Sequence, residues 1–180
     1  MKKVLALILA LAMILAAASA FATDSKTGND ITKATVTAVT TADGTKKTEE
    51  TGLYIEILPD DESTTALKEV FAGALAEGNV LKGFPEDVQE KLDSELTTIN
   101  EIVKAALRGN AEGLTSATVN FVFATAYPKD EKVQLAIALA EDWTVLDGIG
   151  QEDGSVNAVL DAEQIAKFLD KEFNVVVVSK

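Results

Sequence analysis

The sequence lacks two of the residues on which protein chemistry most often depends: none of its 180 residues is a cysteine or a histidine. Without them the Ser-His-Asp and Cys-His arrangements of nucleophilic catalysis are impossible, and zinc loses its two commonest ligands. Disulfides are excluded as well, which in a secreted protein is typical of bacterial export. We therefore predict no cofactor and no metal site, and carboxylate chemistry is the main enzymatic route left.

Positive charge is also scarce. The chain has 29 Asp and Glu against 16 Lys and Arg, for a formal net charge of -13. Such a surface repels nucleic acid and anionic lipid, and it favours solubility or cationic partners. We expect no nucleic-acid partner, and the simplest explanation of the acidity is solvation of an extracellular protein.

Residues 1–22 have the composition of a secretory signal peptide. Lys2 and Lys3 precede an apolar run from Val4 to Ala18, and small residues then match the A-x-A cleavage pattern. The length of the run also admits a transmembrane anchor, but the short basic start and the A-x-A exit favour cleavage. We predict a secreted, extracellular protein with no membrane association after cleavage.

The rest of the chain suits one folded unit. Residues 23–30 are small and polar and are predicted to be a flexible leader. Residues 31–180 have a length typical of a single domain.

The stretch Ala117–Ala140 contains two runs that alternate with a period of two, which is typical of strands. We predict a hairpin that pairs Tyr127 with Val133, so that the bulky residues of both runs share a core-facing side. The opposite side is then small and mildly polar. It includes Asn120, Ala124, Gln134, Ala136 and Ala138.

A second hairpin is predicted near the start of the domain. Residues 31–42 and 53–58 have the composition of strands, and Asp43-Gly44 is a two-residue turn signal between them. The base of this hairpin is apolar. Its tip, from Thr40 to Gly52, is polar on both sides and is either a protruding arm or a loop.

Two stretches between these hairpins have helical periodicity. One helix is predicted to begin near Ser63 or Thr64 and to end at Gly78. The stretch Pro85–Arg108 also has an apolar stripe, which predicts either one helix or two helices that break near Thr97.

The end of the chain predicts a helix followed by a strand. Asp161 and Gln164 have the spacing of a capping box at the start of the helix. Residues 173–178 are almost entirely apolar, which predicts a central strand buried on both faces. The whole order of elements predicts an α+β domain, with a mainly antiparallel sheet of about five to seven strands and three to four helices packed on it.

Two acidic groups are candidates for a glycosidase pair or a calcium site, namely Asp60 to Glu62 and the acids between Asp142 and Asp153. Each has a plainer explanation. The first group precedes a helix N-terminus, where acidic residues are favoured. The second falls largely in residues 147–154, which we interpret as a hairpin loop, so we predict no catalytic residues. Trp143 is either a carbohydrate platform or a core anchor.

The tail of the chain from Trp143 reads WTVLDG, then DGSVNAVLDAEQIA and FNVVVVS, and the signal reads MKKVLALILALAMILAAASAFA. In these two parts the chain resembles uncharacterised secreted proteins of Gram-positive intestinal bacteria. The resemblance covers residues 1–22 and 143–180. It implies a secreted bacterial protein and supplies no activity or site residues.

Together these observations predict a non-enzymatic extracellular binding or accessory domain that contacts a protein or a glycan at a cell surface. The small-residue side of the central hairpin would be the contact surface if nothing covers it. A helical layer packed on its alanines is the alternative. A carboxylate-dependent hydrolase of polysaccharide and a secreted inhibitor or chaperone remain open, as does the oligomeric state. The predicted binding residues are Asn120, Ala124, Gln134, Ala136, Ala138 and Trp143.

Overall fold

An antiparallel sheet of nine strands forms the framework of the protein. The computed structural model describes residues 33–47 and 52–180. The predicted signal peptide (1–22) and leader (23–30) therefore lie outside the described residues, as do 31–32 and 48–51. Every ladder between neighbouring strands of this sheet is antiparallel.

The strands follow each other across the sheet in an order different from that of the chain. They are β1 (Lys33–Thr41), β2 (Lys46–Lys47), β3 (Leu53–Leu58), β4 (Thr98–Gly109), β5 (Leu114–Val122), β6 (Lys132–Leu139), β7 (Asp142–Gly150), β8 (Val156–Asp161) and β9 (Lys171–Ser179). Their spatial order is β2-β1-β5-β8-β7-β6-β9-β4-β3. Although β1 and β3 belong to opposite ends of this order, their Cα atoms approach within 8 Å. The sheet therefore curls into a half-barrel with a concave inner side and a convex outer side.

Within residues 33–47 and 52–180, three α-helices accompany the sheet: α1 (Glu62–Ala76), α2 (Glu86–Gln89) and α3 (Ala162–Phe168), with a 3₁₀ helix at Val80–Gly83 between the first two. The predicted stop of α1 at Gly78 is confirmed by its φ of 73°, a conformation that glycine adopts without strain. The predicted capping box of Asp161 and Gln164 is also confirmed at the start of α3. Among the described residues, no helix is both long and apolar enough to cross a membrane.

The inner side of the half-barrel holds the larger of two hydrophobic cores. Alternate residues of every strand except β2 point into it, as the period-two pattern requires. Representative members are Val39, Ile55, Val103, Val119, Leu135, Leu146, Ala158 and Val175. Helix α3 adds Ile165 and Phe168 to the same core, so this helix packs against the inner side of the sheet.

A second hydrophobic core, the outer core, lies on the convex side beneath the other helices. Phe71 of α1, Phe84 after the 3₁₀ helix and Val88 of α2 pack there against residues of β4, β6 and β9. The ring centroids of Phe71 and Phe84 lie 4.5 Å apart. The predicted central strand at 173–178 is confirmed in β9: these six residues are all buried, with Val175 in the inner core and Val176 in the outer core.

The predicted hairpin at Ala117–Ala140 is wrong. β5 pairs with β1 and β8, whereas β6 pairs with β7 and β9, so β8 and β7 separate the two strands. Phe121 and Ile137 do both lie in the inner core, because the curled sheet brings their strands around one interior. The segment between the strands is not a tight turn, since the backbone N–H of Tyr127 donates to the carbonyl of Gly154 at 3.0 Å.

The predicted helix or helices over Pro85–Arg108 are also wrong. Only Glu86–Gln89 is α-helical, and the second half of the stretch is strand β4. β4 is buried on both faces, with Ile102 in the outer core and Val103 in the inner core. Apolar residues that recur on both faces of such a strand also match helical spacing over short distances, which explains the error.

The hairpin predicted over residues 31–58 has its turn at the predicted place, Asp43-Gly44, but the two predicted strands do not pair with each other. Thr41 donates its backbone N–H to the carbonyl of Thr45 at 3.0 Å, and Gly44 has a φ of 81°. The partner of β1 across this turn is the short β2, while β3 pairs with β4 at the other end of the sheet.

The predicted α+β class with about five to seven strands is therefore contradicted. Nine strands form one curled sheet, and α2 and α3 are only 4 and 7 residues long. Two strands were missed, one because its sequence was assigned to helix and one because β2 is 2 residues long.

Two glycines in β7 let neighbouring parts of the chain lie close to its backbone. Gly148 and Gly150 belong to this strand and not to the loop predicted at 147–154. A Cβ atom at Gly150 would lie 2.0 Å from the carbonyl oxygen of Pro128, and one at Gly148 would lie 2.7 Å from Val156. Only glycine lets the segment before β6 pass over this end of the inner side.

Candidate functional site

The six predicted binding residues do not form one open surface. Ala136 has 0% of its surface exposed and lies in the outer core, and Ala138 is buried as well. Gln134 is also buried: its Oε1 accepts from the backbone N–H of Asp93 at 2.8 Å, and its Nε2 donates to Asp147 at 2.9 Å. A flat adhesive surface built on these three residues of β6 is therefore not present.

The other three residues are separated from one another. Trp143 is half-buried, and its ring meets Phe84 edge-on at a centroid distance of 5.6 Å, which agrees with the interpretation of a core anchor. Ala124 is exposed beyond the end of β5, where its backbone N–H donates to Glu101 at 3.2 Å. Asn120 points outward from β5 on a part of the sheet that the helices leave open.

This open part is a distinct region of the convex side. Among the described residues, the outer core contains members of β4, β6, β7 and β9 but none of β1, β5 or β8. In β8 the buried Ala158 and Leu160 alternate with Val159, which is 56% exposed. We call this region the uncovered face and define it by six residues. They are Thr35, Thr118, Asn120, Ile149, Asn157 and Val159.

The strand register places these side chains in rows. Thr35 lies opposite Asn120, Asn120 opposite Asn157, and Asn157 opposite Ile149. With strands about 4.8 Å apart, this row of four residues spans about 14 Å. In a second row, Thr118 lies opposite Val159.

Hydrogen bonds hold the amides of the uncovered face in fixed positions. Nδ2 of Asn120 donates to Oδ1 of Asn157 at 2.9 Å and to the hydroxyl of Ser155 at 2.6 Å. The Ser155 hydroxyl donates in turn to Asp153 at 2.5 Å, and this bond is the main reason that the pKa of Asp153 is lowered. The amide pair is therefore pre-organised, and Asp153 beside it stays ionised.

The border of this neutral centre is mainly acidic. Asp147 precedes Ile149 on the outer side of β7, and Asp161 follows Val159 on β8. With Asp153, these aspartates form the rim of the uncovered face, which also includes the exposed Lys33 at the start of β1. On the β6 side, Lys132 is paired with Asp93 at 2.9 Å.

A polar cluster at the start of α1 contains acids, a serine and a lysine, the residue types of a catalytic site. Its charged groups are paired with one another, as in a structural ion-pair network. Asp61 accepts from the backbone N–H of Thr64 at 3.0 Å, from the hydroxyl of Ser63 at 2.7 Å and from Lys104 at 2.5 Å. Lys104 also contacts Glu172 at 2.7 Å, and its side chain is only 12% exposed. The Lys104 hydrogen bond holds the pKa of Asp61 well below its usual range, and the bond to Asp61 raises the pKa of Lys104. A lysine kept charged in this way cannot act as a general base, so the cluster fastens α1 to β4 and β9.

The concave side of the described sheet is filled by a packed core. The cavity there has a volume of about 10 Å³, and its lining is apolar, including Phe121, Phe168 and Phe173. A cavity of this size has room for at most about one water molecule. No carboxylate lines this cavity, so the alternative of a polysaccharide hydrolase finds no support there.

Among the described residues, acids are not grouped as a metal site, and each acid with a shifted pKa has it lowered. Within residues 33–47 and 52–180, no group of three or more acidic side chains is placed to hold a metal ion. Hydrogen bonds lower the pKa of Asp93, Asp142 and Glu172, led by those from Glu95, Lys167 and Lys104 respectively. A glycosidase acid needs the opposite shift, because it must stay protonated until it reacts.

Of the six residues of the uncovered face, only Asn120 is among the predicted binding residues, although the same alternating pattern places Thr118 on its side of the strand. A local signal was available in SVNAVLD, where Asn157 and Val159 alternate with the buried Val156, Ala158 and Leu160. Alternation alone does not show which outward positions a helix will cover, because that depends on strand order.

On the uncovered face, ordered, uncharged side chains of neighbouring strands lie together inside a mainly acidic rim. Comparisons of the chain with protein-family models, with curated proteins and with solved structures found no match.

Proposed function

We propose that the chain is a secreted, non-enzymatic binding or accessory domain that acts through its outer surface. One observation carries this proposal: among the described residues, the helices cover the convex side over β4, β6 and β9 and leave the uncovered face open. The concave side, where a half-barrel would otherwise bind a ligand, is filled by its own side chains. A site for a partner is therefore available on the outside.

The sequence supports the extracellular part of the proposal. A basic start, an apolar run and an A-x-A exit within residues 1–22 have the order of a secretory signal. A chain without cysteine is independent of the redox state of its compartment, because it has no disulfide to lose.

Binding to intact cells tests the proposal. The chain from residue 23 to 180 is labelled and titrated onto Gram-positive bacterial cells and onto cultured epithelial cells, and bound label is measured. In parallel, the same protein is incubated with cell-wall and plant polysaccharides, and released reducing sugar is measured. We expect saturable binding to at least one cell type and no release of sugar. Purely linear uptake on both cell types would contradict the proposal, and so would sugar release that a carboxylate substitution abolishes.

A further inference from the structure

We infer that the uncovered face binds another protein, whose contact surface is uncharged at its centre and basic at its rim. This inference rests on the proposed binding function and adds the location of the contact and the chemistry of the partner. It is carried by the distribution of charge, by the shape of the sheet and by the exposure of the side chains on the face.

The centre of the face has the composition of a protein interface core. The six residues at the centre of the face are hydroxyl, amide and aliphatic side chains, while the charged residues of the same outward rows, Lys33, Asp147 and Asp161, lie at its border. Depletion of charge at the centre is the compositional feature that separates the core of a protein–protein interface from ordinary surface. Val159 and Ile149, exposed by 56% and 53%, supply apolar surface that a partner would bury.

The shape of the face favours a protein over a small molecule or a sugar. Sites for small ligands are concave and enclose most of the ligand, whereas this face lies on the outside of a curled sheet. None of its six residues is aromatic, so it offers no ring on which a sugar could stack. A second protein can cover a convex surface of this kind with a matching groove of its own.

The rim selects the charge of the partner. Three aspartates, Asp147, Asp153 and Asp161, are exposed at the borders of the face together with one lysine, Lys33, so negative charge predominates there. A partner with lysine or arginine at the matching positions would be attracted, and its association would be slowed by salt. A second copy of this chain would bring two acidic rims and two molecules of net charge -13 together. Charge complementarity therefore favours a different, basic protein over self-association.

Site-specific photo-crosslinking on intact cells tests the inference. A photoreactive amino acid is placed at Val159, and in a matched variant at Val70 of α1, an exposed valine of the helical layer (51% exposed against 56%). Both variants are bound to the cells identified by the binding titration and irradiated, and the adducts are separated by mass. We expect a discrete protein adduct from position 159 and none from position 70. Equal adducts from both positions, no adduct from position 159, or an adduct made only of this chain would overturn the inference.

Treatment of the cells distinguishes the class of ligand. Trypsin treatment is expected to abolish binding of the unmodified chain, and periodate oxidation of surface sugars is expected to leave it unchanged. Raising the salt from about 0.15 M to 0.5 M, which shortens the screening length from about 8 Å to about 4 Å, is expected to weaken binding several-fold. Loss of binding after periodate but not after trypsin would assign the ligand to glycans and overturn the inference. In that case the proposed binding function would still stand, because saturable binding would remain.

Discussion

The hydroxyl of Tyr127 is buried without a hydrogen-bond partner among the described residues. The side chain of Asn100 lies close enough to lower the pKa of Tyr127, while its amide donates one N–H to Ser179 at 2.5 Å. Burial is the main cause that raises the pKa of Tyr127, so the hydroxyl stays neutral at ordinary pH. An unsatisfied buried hydroxyl costs about 1–3 kcal/mol of stability.

Replacing this tyrosine by phenylalanine should therefore be harmless or beneficial. We expect Tyr127→Phe to raise the free energy of unfolding by up to about 1 kcal/mol, measured by urea titration. Tyr54→Phe is the control, because Tyr54 is 51% exposed on β3 and its hydroxyl has little to lose. A loss of stability in Tyr127→Phe that Tyr54→Phe does not share would show that the buried hydroxyl is hydrogen-bonded.

The charge of Asp61 should make stability depend on pH in a defined window. Because hydrogen bonds, above all that from Lys104, lower its pKa in the folded chain, its ionised form favours folding. That contribution is fully present above the unfolded-state pKa of about 3.9 and is lost as the pH falls towards the lower folded pKa. We expect Asp61→Asn, which keeps an acceptor for the cap, to be less stable than the unmodified chain at pH 7.

The difference in unfolding free energy between Asp61→Asn and the unmodified chain should shrink when the pH is lowered below about 4. Urea titrations of both proteins at several pH values measure this difference. Asp87→Asn is the control, since the ion pair of Asp87 with Lys91 at 3.3 Å is exposed and contributes little. A difference that stays constant from pH 7 to pH 3 would exclude the charge of Asp61 as its cause.

Residues of the candidate site were predictable only where a local pattern marked them. Asn120 was identified because it alternates with apolar neighbours. Ala136 and Ala138 alternate in the same way, but β6 has β9 and the outer core beside it, so the same pattern leads to burial. Outward side chains are therefore buried on β6 and open on β5 because different elements, distant in the sequence, lie beside the two strands.

At the scale of elements, two glycines should respond oppositely to alanine. Gly150 in β7 has no room for a Cβ atom, which would lie 2.0 Å from a backbone oxygen of Pro128. Gly73 in α1 has nothing within 4 Å of the position of its Cβ atom. We expect Gly150→Ala to destabilise the protein by more than about 2 kcal/mol, because backbone must move.

Gly73→Ala should instead stabilise the protein by about 0.5–1 kcal/mol, because glycine in a helix interior costs backbone entropy. Thermal unfolding of both variants beside the unmodified chain gives the comparison. Similar unfolding temperatures for the two variants would contradict the close approach of Pro128 to β7.

Elements with local signals were predicted well, and elements defined by distant partners were not. The capping box at Asp161, the stop at Gly78 and the buried strand β9 each depend on residues within a few positions of one another. β4 was assigned to helix because its apolar residues satisfy a helical period. Strand pairing settles the question, since β4 is held between β3 and β9 from other parts of the chain.

At the scale of the whole molecule, protection of the backbone should fall from the middle of the sheet towards its ends. β9 is paired on both sides, with β6 and β4, and its residues 173–178 are buried. β1 pairs fully with β5, but on its other side the described partner is β2, at Val39 and Thr40 alone. We expect the amides of 173–178 to exchange with solvent deuterium most slowly and those of 33–37 to be among the fastest in the sheet.

Hydrogen exchange measured by mass spectrometry gives this order directly. Protection of residues 33–37 equal to that of 173–178 would mean that the first part of β1 has a partner on its open side. The curl that brings β1 near β3 could not be predicted from the sequence, because it follows from the full strand order and not from any single segment.

We propose the uncovered face as the functional surface of the protein. Comparing the affinities of Val159→Lys and Val70→Lys for the cells to which the unmodified chain binds tests this most directly. Both substitutions place a lysine at an exposed valine, one on the uncovered face and one on α1. We predict that Val159→Lys binds at least about tenfold more weakly, as expected for a charge at an interface centre, while Val70→Lys keeps its affinity within about twofold. Equal affinities of the two variants would contradict the claim.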